Sequence, residues 1–234
     1  MENTIASAVI NKKRIFAFKS KNDFLKYING KIKILVALNA EKLNKQNKEL
    51  DDIINLNIGY PDGIGAVFAL KRKGVDSIKI AGAEFWLDII RRFELEKSFY
   101  FVGASNEVID QTIGKLKNDF PKINISGYRN GYLQEGDDEV LIEDMIKMKP
   151  DVVFVAMGSP KQELLMNTLI KKYPALYMGL GGSFDVYAGR VKRAPMLFQK
   201  LGLEWFYRLL KEPTRWRRQL NLGQFLLKLI FNKI

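Results

Sequence analysis

Chemistry near neutral pH needs groups that can take up and release protons, and this sequence narrows which groups those are. Its 234 residues include no His and no Cys. The commonest general base, the commonest nitrogen metal ligand and the thiolate nucleophile are therefore missing. Proton transfer is left to carboxylates, Lys, Tyr or the phosphates of a substrate. Among the carboxylates, Asp62 lies in Tyr60-Pro61-Asp62-Gly63. Pro restricts φ on one side and Gly accepts positive φ on the other, a strong turn signal. Two readings of this segment are open from the residues alone. One is an ordinary turn. The other is a carboxylate held rigidly before a helix that starts near Gly63, placed to take a proton from a hydroxyl.

Four more segments are rich in Gly or small polar residues: Leu38-Asn39-Ala40-Glu41, Gly103-Ala104-Ser105-Asn106, Met157 to Glu163, and Gly179 to Asp185. A helix N-terminus reached through Gly offers exposed amides to phosphate. Singly, each segment reads as a βα turn; four of them in one sheet favour a phosphorylated ligand. In Gly158-Ser159-Pro160-Lys161-Gln162, Ser159 is expected as N-cap and Pro160 as the first helical residue. Lys161 and Gln162 would then sit on the first turn, beside a bound anion or simply in solvent. No Gly-x-Gly-x-x-Gly runs from strand into helix, and no Walker A motif occurs, which disfavours NAD enzymes and P-loop NTPases. There is no Asp-x-Asp, and Asp51-Asp52 and Asp137-Asp138 read as solvated helix ends. No metal and no cofactor is expected.

These segments need elements to position them. Strand-like runs occur at Arg14–Phe18, Ile32–Leu38, Ser98–Val102, Ile123–Ser126, Asp151–Met157 and Ala175–Met178. Helical patterns occupy Lys21–Ile28, Ala40–Leu50, Gly63–Lys73, Phe85–Phe93, Glu107–Phe120, Asp137–Lys149 and Lys161–Lys172. The alternation predicts an α/β fold, a mostly parallel sheet with helices on both faces. Ligands of such sheets bind beyond the carboxyl ends of the strands, where these loops lie.

The charge is unevenly distributed. Residues 190–234 hold eleven of the 38 Lys/Arg and two of the 26 Asp/Glu, a net +9 of the total +12. Trp205, Phe206, Tyr207 and Arg208, then Arg215, Trp216, Arg217 and Arg218, interleave aromatic and basic groups. That pattern suits an interfacial membrane helix, with a nucleic-acid groove and a packed terminal helix as rivals. No apolar run reaches the ~18–20 residues of a membrane span, and Met1-Glu2-Asn3-Thr4 shows no secretory pattern. The expected organisation is an α/β domain over residues 1–194 and a basic, helical, membrane-associating appendage over 195–234.

Longer motifs carry a resemblance. Val155-Ala156-Met157-Gly158-Ser159-Pro160-Lys161-Gln162-Glu163, Tyr177 to Val186, Gly189 to Pro195 and Leu201-Gly202-Leu203-Glu204-Trp205 resemble the WecG/TagA/CpsF glycosyltransferases. The likeness runs from about Ile34 to Gln219. It implies a Rossmann-like sheet and an inverting enzyme. Such an enzyme moves an N-acetylmannosamine-type sugar from UDP to a polyprenyl-diphosphate-linked N-acetylglucosamine. It implies Asp62 as the base, Asn39 and Gln162 as site residues, and Asp185 near the nucleotide. With the strand-end loops, the candidate nucleotide-sugar contacts are Asn39, Gly63, Gly103, Gly158, Ser159, Lys161, Gln162, Gly181, Gly182 and Asp185. The basic appendage is implied to meet an anionic membrane and the lipid diphosphate through Lys192, Arg193, Arg208, Arg215, Arg217 and Arg218. This favours a cytoplasmic protein attached peripherally to the inner membrane face, with no nucleic-acid partner; homo-oligomerisation stays open. Ala37 stands where many relatives have Thr, and Lys79 and Glu84 flank Gly82 where relatives often carry Arg and Asp. Lys keeps the charge of Arg but not its two-pronged grip.

Overall fold

The strand-forming segments are continuous apolar runs, the pattern of strands covered on both faces. In the computed structural model, which describes residues 5–192, 194, 195, 198, 204–211, 223–225, 227–229 and 231, they form one six-stranded parallel sheet. Its strands are β3 (Ile34–Leu38), β4 (Ile58–Pro61), β5 (Ser98–Gly103), β6 (Asn124–Arg129), β7 (Val152–Ala156) and β8 (Leu176–Gly179), in spatial order β4-β3-β8-β7-β5-β6. A separate antiparallel hairpin, β1 (Ser7–Ile10) and β2 (Lys13–Phe16), precedes it. Asn11 and Lys12 both take positive φ at its turn, the geometry that matches the twist of a two-residue hairpin.

Period-two alternation divides the core into two layers. Phe99 and Phe101 of β5 and Val152, Phe154 and Ala156 of β7 point to one face. There they meet α1 (Lys21–Ile28), α5 (Gly82–Phe93), α6 (Asn106–Asp119) and α9 (Ser183–Tyr187). Tyr100, Val102, Val153 and Val155 point to the other. They pack on α2 (Ala40–Asn44), α3 (Lys48–Leu56), α4 (Ile64–Arg72), α7 (Asp137–Met148) and α8 (Lys161–Lys172). The Trp86 ring, fully buried, stands edge-on to Phe154, Phe184 and Tyr187 at 5.1–5.7 Å, tying α5 and α9 to the sheet.

From β5 the chain runs outward through α6 to β6, whereas from β7 it runs the opposite way through α8 to β8. The two helices leave on opposite faces, so a crevice opens at the carboxyl ends of β5 and β7, the switch point of the sheet.

Several expectations need correction. Residues 40–50 are two helices, because Asn47 caps α3 by accepting from Leu50 N at 3.0 Å. The segment before Asp62 is a strand rather than a loop: Ile58 to Pro61 pair in parallel with Leu35 to Leu38. Asp51 is not a solvated helix end. It is buried against the fully buried Lys13 ammonium at 2.9 Å, an ionic contact, while that ammonium also donates to the Lys45 carbonyl at 2.8 Å.

Part of the C-terminal region packs on the α/β body. Phe225 is fully buried against the second core layer and lies beside Gly65 of α4. Lys228 Nζ donates to Asn44 Oδ1 at 2.8 Å, and Asn44 Nδ2 donates to Gln224 Oε1 at 3.3 Å. Glu204–Lys211 is helical, with Tyr207 against Phe198. Arg193, Arg215, Arg217, Arg218 and the side chain of Arg208 lie outside the described residues. Lys192 is exposed. No helix among the described residues is long and apolar enough to cross a membrane.

Candidate active site

Parallel pairing aligns the strand ends, so loops far apart in sequence meet along one edge. At the end of β4, Asp62 N donates to the Leu38 carbonyl at 3.0 Å, fixing the turn to β3. Gly63 takes φ +95° and starts α4 without a side-chain cap, so the Asp62 turn exists because Gly can occupy that region. Asp62 is half-buried. Two residues earlier, and so on the same side of the strand, Tyr60 is fully buried. A Cβ at Gly82, the first residue of α5, would come within 2.8 Å of the Tyr60 hydroxyl and 3.9 Å of Asp62 Oδ2. The absent side chain at Gly82 is what lets the phenol reach the neighbourhood of Asp62. Among the described residues the Tyr60 hydroxyl has no hydrogen-bond partner. Burial pushes it well above the usual tyrosine range, and the carboxylates of Asp62 and Glu163 push the same way. It is therefore a neutral donor near pH 7, and Asp62 is the group of this pair that can act as a base.

A connected set of polar contacts braces the strand ends beside it. Asn39 caps α2, its Oδ1 accepting from Lys42 N at 2.8 Å. The Lys42 ammonium crosses to α8 and pairs with Glu163 Oε1 at 2.7 Å; both side chains are largely buried. Gln162 Nε2 donates to the same Glu163 oxygen at 3.2 Å, and Gln162 Oε1 accepts from Gly181 N at 2.8 Å. Asn39, Gln162 and Gly181 are thus linked through Lys42 and Glu163, joining the ends of β3, β7 and β8. Gly179 is required there, because any Cβ would collide with the Gln162 amide. Gln162 faces neither solvent nor an open first turn. It is buried and both ends of its amide are engaged, which makes it a brace for the Gly-rich loop.

At the switch point, Gly103 has φ +133° and presses on the Ala156 backbone so closely that a Cβ would overlap its carbonyl. Ala104 N donates to the Ala156 carbonyl at 3.0 Å, and Gly131 N donates to the Ala104 carbonyl at 2.9 Å. Ser105 caps α6, accepting from Val108 N. Ser159 does not cap α8. The helix begins at Lys161 with Pro160 in the cap position, and its carbonyl accepts from Leu164 N, so Ser159 falls outside the first turn. Gly158 takes φ +77° and Lys161 is exposed. Beside this crevice lies a cavity of about 330 Å³ lined by Asn106, Asp110, Tyr128, Asn130 and neighbours.

Gly181 and Gly182 lead into α9, where the Asp185 carbonyl accepts from Arg190 N and Val191 N at 2.9 and 3.1 Å. Arg190 in turn pairs with Glu107 of α6 and donates to Gln111 Oε1 at 3.0 Å. Asp185 therefore belongs to the α6–α9 side, while Asp62, Asn39 and Gln162 belong to the β4-β3-β8 side. The sequence reading passed over Tyr60, Lys42, Glu163 and Gly82 as site residues. A signal existed for the first three: Tyr60 is two residues from Asp62, Lys42 three from Asn39, and Glu163 next to Gln162. Among the described residues no group of three or more acidic side chains converges as a metal site would require.

A carboxylate on a rigid turn, a buried phenol donor, a braced Gly loop and a switch-point crevice suit group transfer from a phosphate-bearing donor. The description of the glycosyl transferase WecG/TagA/CpsF family matches residues 15–234, nearly the whole chain. This protein belongs to the WecG/TagA/CpsF family of glycosyltransferases.

Proposed function

We propose that the protein transfers an N-acetylmannosamine-type sugar from UDP to a polyprenyl-diphosphate-linked N-acetylglucosamine, with inversion, in the synthesis of a cell-envelope polysaccharide. UDP lies across the crevice between the Gly103 and Gly158 loops, with Asp185 on the nucleotide side. The acceptor hydroxyl attacks the anomeric carbon from the face opposite UDP. Its proton passes to Asp62 as the new glycosidic bond forms, and the bond from the anomeric carbon to the diphosphate oxygen breaks. UDP leaves with its charge countered by Lys161 and strand-end amides, with no resident metal invoked. The enzyme works peripherally at the inner face of the cytoplasmic membrane, where Lys192 and the basic residues from Arg193 to Arg218 meet the lipid diphosphate.

The observation that carries this reading is the position of Asp62. It is half-buried beside the neutral Tyr60 hydroxyl, at the sheet edge where Gln162 braces the Gly181 loop. The test is UDP release with UDP-N-acetylmannosamine or its uronate and a short-chain prenyl-diphosphate-N-acetylglucosamine. Turnover is expected with one of these donors, and Asp62→Asn should lower it by about 10²–10⁴ while sparing UDP binding. Near-normal turnover in that variant removes Asp62 from the role of base. Turnover only with another UDP-hexose overturns the donor.

A further inference from the structure

The helix that follows Asp62 has two unlike faces. Ala66, Ala69 and Leu70 of α4 are buried in the second core layer. Ile64 and Phe68, one turn apart, are 42% and 51% exposed, and Lys71 and Arg72 continue the same stripe into solvent. An exposed Ile and Phe on a helix with a cationic last turn is not what a merely solvated face requires. The stripe also does not stand alone. Leu229 of the C-terminal region joins Phe68, Lys71 and Arg72 in lining a cleft of about 400 Å³. Leu227 and Phe231, on the same C-terminal segment, are exposed as well.

We infer that α4 is itself a membrane-contacting element of the α/β body, taking an anionic lipid surface as its partner. On this reading the bilayer is met by the catalytic domain and not by the basic appendage alone. Two arguments select lipid. Among the described residues, the groups that define the stripe and its cleft (Ile64, Phe68, Lys71, Arg72 and Leu229) carry positive charge and no acid. That composition is complementary to anionic headgroups over acyl chains. A two-fold pairing of two copies would place this cationic stripe against itself. The second argument is position. α4 starts two residues after Asp62, and its axis from Ile64 to Lys71 is only about 10 Å long. Seating Ile64 and Phe68 in the headgroup region holds Asp62 within reach of a diphosphate anchored in the same leaflet. The inference rests on the lipid-linked acceptor proposed above, but it is tested without turnover.

The full chain is sedimented with vesicles of phosphatidylcholine alone and with vesicles in which about a third of the lipid is phosphatidylglycerol. The wild type should partition into the anionic vesicles and not the neutral ones. The Phe68→Ser/Lys71→Glu variant should partition at least about tenfold less, since each base near such a surface contributes about fivefold and the charge is reversed. Because both side chains are exposed, its unfolding midpoint and UDP-donor binding should match the wild type. Equal partitioning of variant and wild type into anionic vesicles overturns the inference, as does wild-type binding to neither vesicle. A wild-type dimer that the variant dissociates would assign this face to a second copy and also overturn it. If the anionic vesicles discriminate the two proteins but no prenyl-diphosphate acceptor turns over, the acceptor assignment fails and the membrane face stands.

Discussion

Removing Glu163 tests whether the strand ends are held by a buried ion pair. Glu163 is fully buried and Lys42 nearly so, and their 2.7 Å contact spans α2 and α8. Glu163→Ala leaves the Lys42 ammonium in a site with little water, a change that costs roughly 3–5 kcal/mol. Losing the Gln162 Nε2 acceptor adds about 1 kcal/mol. Because about 2–4 °C of Tm corresponds to 1 kcal/mol in a chain of this size, Tm should fall by roughly 8–24 °C. The companion variant Lys42→Met/Glu163→Leu removes both charges and should stay within about 2 kcal/mol of wild type, since replacing a whole buried pair by apolar groups is often neutral. Urea or thermal unfolding of wild type, Lys42→Met, Glu163→Leu and the double variant closes the cycle. A Glu163→Ala loss below about 1 kcal/mol, or a double variant as unstable as the two singles added together, would refute the buried-pair argument. If stability follows the double-variant expectation while kcat/KM falls in both, the pair positions Asn39 and Gly181 for catalysis as well as holding the fold.

Three further outcomes follow from single residues. Tyr60→Phe deletes a buried hydroxyl that has no partner among the described residues; its unfolding free energy should be unchanged or higher by about 1 kcal/mol, and a comparable loss would reveal a hidden partner. Gly103→Ala forces a Cβ into the Ala156 backbone at φ +133° and should cost roughly 2–5 kcal/mol, whereas Gly114→Ala on the exposed face of α6 should gain up to about 1 kcal/mol; chemical denaturation of the two separates steric need from helix propensity. Burial raises Tyr100 to about 12, with Asp144 adding, and raises Tyr60, Tyr177 and Tyr187 in the same direction. The unfolded tyrosines ionise near 10. Below that pH neither state loses these protons and stability is untouched; above it the unfolded state loses them first, so stability should fall between pH 10 and about 12. A urea midpoint that stays flat to pH 12 would contradict this.

Much of the frame was legible in one dimension because its signals are local. β7 is an unbroken apolar run, and α6 carries both its Ser105 cap and its apolar spacing. The errors came where a local rule met a distant partner. Tyr60-Pro61-Asp62-Gly63 reads as turn chemistry around Pro-Asp-Gly, but residues 58–61 are a strand because β3 supplies the pairing. Asp51 beside Asp52 looks like a solvated helix end, and only the hairpin folding over α3 brings Lys13 onto it. Gln162 reads as a first-turn residue open to an anion, yet the Gly181 amide, nineteen residues on, occupies its carbonyl oxygen.

The sequence by itself determined the class of chemistry and the family. With no His or Cys, proton transfer was left to carboxylates, Lys, Tyr or substrate phosphates, and composition and contiguous motifs do not depend on the path of the chain. It also determined the alternation of strand and helix, because period and capping act over a few residues. Tertiary structure alone decided which strand ends meet and where the switch point falls. It decided that the Tyr60 phenol is seated near Asp62 by the missing side chain of Gly82, and that Lys42 and Glu163 hold the Gly181 loop. It also left Ile64 and Phe68 of α4 partly exposed, close in sequence to Asp62. Those are properties of parallel pairing and burial, which join residues 19 to 121 positions apart and so leave no trace in local spacing.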